Sequence, residues 1–146
     1  MTNDPKKQKG LTLIELMVTI AVVAILTSVA VPMYSSYTLK SSRTAAKTIL
    51  QKISAKQENF YINNKQYTGD LTDLGYGSAS VYVNKQSEET TSAAAVYQIN
   101  VSGSATAFSI SAVPQNHQAD DTDCGTLTLN NLGVKGATGS KGVNCW

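Results

Sequence analysis

Few side chains in this sequence are placed for catalysis. His117 is the one histidine, and no serine sits in a G-x-S-x-G elbow. Cys124 and Cys145 form no C-x-x-C pair, and His117 stands at no metal-ligand spacing from another ligand. Asp120, Asp121 and Asp123 offer oxygens of the kind calcium takes, but no further acids lie close in sequence to complete a shell. A solvated acidic turn is the expectation there. Gly133, Gly136, Gly139 and Gly142 recur every third residue without the proline a collagen helix needs. The same stretch contains no G-x-x-x-x-G-K-[ST] phosphate loop. No catalytic residue, no metal and no cofactor is therefore expected, and the chain is read as not an enzyme.

Three chemistries remain. In a chain whose N-terminus targets a membrane, Cys124 and Cys145 suit one disulfide and an oxidising compartment. Closing a loop of about 20 residues would stabilise the fold by roughly 3 kcal/mol on the chain-entropy model. Inside that loop, Lys135 and Lys141 give a small positive character suited to a phosphate backbone, with Lys85 as a further candidate contact. Asn130, Asn131 and Gln115 are the nearby side chains able to reach base edges. The third is Glu15, the only charge in the apolar run from Leu11 to Val31. A carboxylate at the centre of a membrane helix costs roughly 2.5–3.5 kcal/mol, less near its end.

Composition sets the frame for these groups. A length of 146 residues suits one domain with a modest core. The apolar content, 42%, is concentrated near the N-terminus, and the remainder is rich in Ser, Thr, Asn and Gly. The formal charge of +2 is supplied by Lys6, Lys7 and Lys9 against Asp4, so the rest of the chain is neutral. Overall charge thus gives no support for nucleic-acid binding, and only a local patch would serve it.

The basic segment ends at Gly10 and the apolar run starts at once, with no A-x-A-like site after it. Basic residues ahead of the span keep the N-terminus cytoplasmic and send the C-terminal part outward. "KGLTLIELMVTIAVVAIL", with Pro32 and Tyr34 beyond it, resembles the N-terminus of type IV prepilins. The resemblance implies cleavage between Gly10 and Leu11 by a prepilin peptidase and methylation of the new amine. Leu11 stands where the family most often has Phe. It further implies that Glu15 pairs with the terminal amine of a neighbouring subunit, two buried charges neutralising each other and fixing register.

The elements that position these groups can also be read. Ala46, Ile49, Leu50, Ile53, Gln57 and Phe60 form a helical stripe with one polar exception, while Lys40, Arg43, Lys47, Lys52 and Lys56 mostly take other positions. The helix is expected from Leu11 to about Ile62, roughly 78 Å long at the α-helical rise, with Pro32 kinking or loosening it. "SVYVN", "AVYQINVSG", "TAFSISAVP" and "GTLTLNNLG" read as four strands, with a hairpin turn at Ser102–Ser104. "NKQSEETTS" reads as a charged loop, and "GVKGATGSKG" as a turn-rich loop tied by the disulfide. Tyr34, Tyr37, Phe60, Tyr61, Tyr67 and Tyr76 are expected to pack the helix against the head and loop rather than to form a stacking surface.

The fold class is α+β: a long helix, half membrane or filament core and half amphipathic, on a four-stranded antiparallel sheet with a disulfide-closed C-terminal loop. The expected divisions are a leader at 1–10, a transmembrane and core helix at 11–39 and a head at 40–146. "DCGTLTLNNLGVKGATGSKGVNCW" resembles the ends of minor pilins of the ComP and PilE type. The resemblance implies a minor pilin that primes or modulates pilus assembly, in adhesion, twitching motility or DNA uptake. Its partners would be other pilin subunits, the prepilin peptidase, the inner-membrane assembly platform and the membrane. It would sit in the inner membrane before assembly and in the extracellular pilus afterwards. Three alternatives stay open: a DNA-uptake receptor that binds DNA through the Lys135/Lys141 loop, a type II secretion pseudopilin, and a membrane-anchored protein that never polymerises.

Overall fold

A computed structural model of the chain describes residues 12–146. The leader, Gly10 and Leu11 lie outside the described residues. The chain divides into two compact units, one ending at Tyr37 and the other spanning Thr38–Trp146.

One helix, α1, runs Leu13–Asn64 and continues through Pro32. Its start is a T-x-x-E box in sequence: the Thr12 hydroxyl accepts from the Glu15 amide at 3.2 Å. The apolar half contains a window of mean hydropathy 2.4, long and apolar enough to cross a membrane. Its large side chains, Leu13 through Tyr37, are exposed. Its hydroxyls are satisfied inside the helix, with Thr19 donating to the Leu16 carbonyl, Thr27 to that of Val23 and Ser28 to that of Ile25. Those groups therefore make no polar demand on an apolar surrounding.

In the second unit α1 buries Ser42, Ala45, Ala46, Ile49, Leu50, Ile53 and Gln57, and Phe60 is half-buried. The expected stripe is borne out, with Ser42 and Ala45 extending it by one turn. Gln57, the polar exception, donates to the Thr68 carbonyl at 2.7 Å and accepts from the Thr68 amide at 3.1 Å. A buried amide paired in this way costs little and pins the following loop to the helix.

The sheet has six strands rather than the expected four. They are β1 (Ser80–Val83), β2 (Glu89–Thr90), β3 (Tyr97–Gly103), β4 (Phe108–Pro114), β5 (Leu127–Asn130) and β6 (Lys135–Ala137). All pairs are antiparallel, in the order β2-β1-β3-β4-β5-β6. The four expected strands are β1, β3, β4 and β5. The two additions arise in segments read as loops, where two or three residues are too short to carry an alternating pattern. β2 returns through a turn in which the Asn84 side chain accepts from the Gln86 and Glu88 amides. Val81, Val83, Tyr97, Ile99, Phe108, Ile110, Ala112, Leu127 and Leu129 point inward and meet the α1 stripe in one core.

The hairpin turn also differs from expectation. Gly103 does not sit at its centre but pairs with Phe108 as the last residue of β3, and the turn is at 104–107. The glycine answers a close approach instead, because a Cβ there would run into the Thr68 carbonyl.

Candidate functional site

The head is tied to its C-terminal loop by an ion pair that crosses 78 residues of sequence. Arg43, on α1, donates from Nε to Asp121 Oδ2 and from Nη2 to Asp121 Oδ1, both at 2.6 Å. The Asp121 side chain is 1% exposed and that of Arg43 13%. The carboxylate also accepts from Gln118 Nε2 at 3.1 Å and from the Cys124 amide at 3.2 Å. Gln118 reaches further, to the Tyr97 hydroxyl and the Leu39 carbonyl. Asp121 is thus not part of a solvated turn. The bidentate bond to Asp121 raises the Arg43 pKa despite burial, so the guanidinium stays charged. Burial, reinforced by the Asp121 charge, pushes the Tyr97 phenol up to about 12.

Cys124 and Cys145 form the expected disulfide. Between them the chain is an ordered hairpin rather than a loose loop. The Gly139 amide donates to the Cys124 carbonyl at 2.9 Å, Lys141 to that of Asp123 at 2.8 Å and Thr138 to that of Thr126 at 3.1 Å. Gly139 lies so close to the Asp123–Cys124 backbone that a side chain would collide with it. Asp123 accepts from Lys141 Nζ at 2.6 Å and lies 4.0 Å from Arg43. The Lys141 hydrogen bond holds the Asp123 carboxyl below its ordinary value.

The two lysines singled out in the loop therefore have different standing. Lys141 is committed to Asp123, whereas Lys135 makes no ion pair with any described carboxylate. In β6 Lys135 pairs with the inward-facing Leu129, which puts it on the helix side of the sheet at its open edge. Its ammonium is 5.3 Å from the centre of the Trp146 ring, and the indole nitrogen donates to the Gly136 carbonyl at 2.8 Å. Sequence reasoning missed its neighbour, Lys47, one turn beyond Arg43. Burial, then the charges of Arg43 and Lys135, hold the Lys47 ammonium below its ordinary value. Lys47 likewise has no described carboxylate partner. Its one sequence signal was the four-residue step from Arg43 along the edge of the buried stripe. An anion such as a phosphate beside the Lys47 ammonium would offset the burial and the neighbouring positive charges that disfavour it.

Of the candidate base readers, Asn130 and Asn131 lie together at the β5–β6 turn. They border an open hollow of about 430 Å³, whose other lining is Ser102–Ser104 and Ala107–Ser109 and which has no charged wall. Gln115 follows the far end of β4, and Lys85 lies in the β1–β2 turn, toward the opposite edge of the sheet. Asp120 meets His117 on the surface at 3.1 Å. Among the described residues no three His, Cys, Asp or Glu side chains converge as a metal site. Tyr61 stacks on Tyr67, and Tyr67 meets Phe108 edge-on, a small aromatic bridge from α1 to the sheet. Tyr34 and Tyr37, expected to pack, are exposed, at 70% and 71%.

Residues 32–128 match the family model described as type IV minor pilin ComP, DNA uptake sequence receptor. Residues 5–31 match the prokaryotic N-terminal methylation motif. The chain is 37% identical over 73 residues to a fimbrial protein of Neisseria meningitidis serogroup B, covering 50% of this chain and 43% of that one. It is 37% identical over 82 residues to the type IV major pilin protein PilE of Neisseria gonorrhoeae, covering 56% and 49%. The match thus spans under half the length of these curated relatives. A solved type IV pilin from Shewanella oneidensis superposes with a TM-score of 0.50 at 25% identity, covering 74% of this chain and 97% of that one.

Proposed function

Since the chain belongs to the family of the type IV minor pilin ComP, the DNA uptake sequence receptor, we propose that it is a pilus subunit whose head takes up duplex DNA at the Lys47–Lys135 edge. Membership in that family favours this reading over the secretion-pseudopilin and unpolymerised-anchor alternatives. The carrying observation is that Lys135, on the outer strand β6, and Lys47, whose ammonium feels the Lys135 charge, both lack a described carboxylate partner. Phosphates would be held there, with Arg43 and Lys141 kept in the fold by Asp121 and Asp123. The site named at first, Lys135 with Lys141, thereby becomes Lys135 with Lys47.

The test uses the full chain in detergent micelles with a duplex probe at low salt. Lys47→Ala/Lys135→Ala should lose most binding and flatten the log–log salt dependence by about 2, near 0.9 per phosphate contact. Lys141→Ala should change affinity little. A double variant that keeps wild-type affinity and salt slope rejects this edge as the DNA contact.

The remaining roles are supported by the N-terminal motif. The prepilin peptidase cuts after Gly10, the amine of Leu11 is methylated, the apolar half of α1 holds the subunit in the inner membrane, and the assembly platform passes it into a surface pilus with other pilins. Gly10→Val should leave the leader attached, because a branched side chain crowds the bond presented to the peptidase. Intact-mass measurement of the membrane fraction should find wild type starting at methylated Leu11 and the variant starting at Met1. Wild type carrying an intact leader would remove the processing assignment.

A further inference from the structure

We infer that the head binds a short aliphatic carboxylate in a cavity between α1 and the segments flanking β3 and β4, with Lys85 holding the acid group at the mouth. The site lies on the β1 side of the sheet, away from the β6 margin, and does not depend on the DNA-binding reading.

The cavity has a volume of about 100 Å³ and is partly enclosed. Its walls come from three segments, each fastened by its own bonds. On α1, Ser42 turns its hydroxyl back to the Thr38 carbonyl at 3.1 Å. Ala95 and Val96 approach just ahead of β3, the Val96 amide donating to the Val83 carbonyl at 2.8 Å. The short turn Asn116–Asp120 supplies Asn116, whose Nδ2 donates to the Ser92 and Ala95 carbonyls at 2.8 and 3.0 Å. From the same turn Gln118 is buried and spends its Nε2 on the Leu39 carbonyl, the Tyr97 hydroxyl and Asp121. These donors are committed within the protein, and the lining is mostly apolar. Walls held in this way are formed before a ligand arrives, so little ordering opposes its entry.

Size and charge set the ligand. A cavity of roughly 150 Å³ accepts a benzene ring, so one of this size takes about four carbons. Lys85 lines the cavity, is exposed, and makes no described hydrogen bond or ion pair. The other ionisable lining group, His117, is engaged by Asp120 at 3.1 Å. An ammonium beside an apolar hollow suits a molecule that is anionic at one end and hydrocarbon at the other. An inorganic phosphate would lose water against aliphatic walls without gaining donors. An uncharged hydrocarbon would leave the ammonium unused. A carboxylate on a short chain buries its tail and keeps its oxygens at Lys85.

The experiment titrates the full chain in micelles with butyrate, butyramide and hexanoate at matched ionic strength. The Ala95 methyl and the Val96 and Gln118 amides are followed by NMR. Butyrate should shift these signals saturably. Butyramide, with the same tail and no charge, should bind about tenfold more weakly. Hexanoate should also bind more weakly than butyrate, because its longer tail lifts the carboxylate past Lys85. Lys85→Gln should weaken butyrate about tenfold and leave butyramide unchanged. Ala95→Val should weaken both by filling the cavity; Lys85 is exposed, so its variant tests the site even where the filled one fails to fold. Butyrate that gives no saturable shift, or binds Lys85→Gln and wild type alike, overturns the inference. Butyramide matching butyrate overturns it too, leaving an apolar cavity without acid recognition. Shifts confined to Lys47 and Lys135 would mark general anion attraction and reject this site.

Discussion

Asp121→Ala should destabilise the head by about 3–5 kcal/mol, the usual cost of removing one partner from a buried ion pair. Arg43 would keep its charge, 13% exposed, with two hydrogen bonds gone. The Cys124 amide and Gln118 would lose an acceptor as well. Against a typical total of about 5–15 kcal/mol, this is a large fraction. Trp146 gives a direct readout, because its ring lies on the C-terminal hairpin and it is the only tryptophan. Denaturant titration of the full chain in mild detergent, followed by its fluorescence, should show the midpoint fall sharply. The double replacement Arg43→Met/Asp121→Leu should recover much of the loss, since it removes both charges together. A single variant within 1 kcal/mol of wild type would mean that water already screens the pair.

Glu15→Val should abolish most incorporation into pili while sparing insertion and cleavage. The variant span is more apolar, so membrane entry becomes easier. In a filament the terminal amine of a neighbour would lose its partner, a loss of several kcal/mol for a buried charge. The helix start supplies a second reason for the acid, since Thr12 and Glu15 have the spacing of a capping box at the positive pole of α1, and its Thr12 half is in place, the hydroxyl accepting from the Glu15 amide. Glu15→Gln separates the two, because glutamine keeps the box and removes the charge. Quantified in sheared pili, both variants should be depleted to a similar degree if the charge pair governs assembly. Gln at wild-type level with Val depleted assigns the effect to capping. Val at wild-type level removes the assembly role altogether.

Much of the fold was legible because α1 repeats one pattern over many turns. The stripe from Ala46 to Gln57 could be read residue by residue, and even its polar exception marked a real buried amide. β2 and β6 were not legible, because strands of two and three residues exist through pairing and carry no period of their own. The site was half legible. Lys135 stood out inside a cysteine-bounded loop, but local sequence gave no warning that Lys141 would be taken by Asp123 or that Lys47 would arrive from the helix. Arg43 and Asp121 each read as a surface charge, and only the tertiary fold makes them a buried pair.

The shortness of the two outer strands has a consequence for how copies of this chain meet. An open sheet offers unpaired amides and carbonyls at each margin, a template for adding another strand and, repeated, for cross-β aggregation. Here the margins are β2, with two residues, and β6, with three. Gly136 sits mid-β6, and its carbonyl is already taken by the Trp146 indole. Neither margin can template more than a fragment of a foreign strand. Heads crowded at high local concentration are therefore guarded against fusing sheet to sheet, which leaves the bare apolar half of α1 as the long surface through which association can proceed.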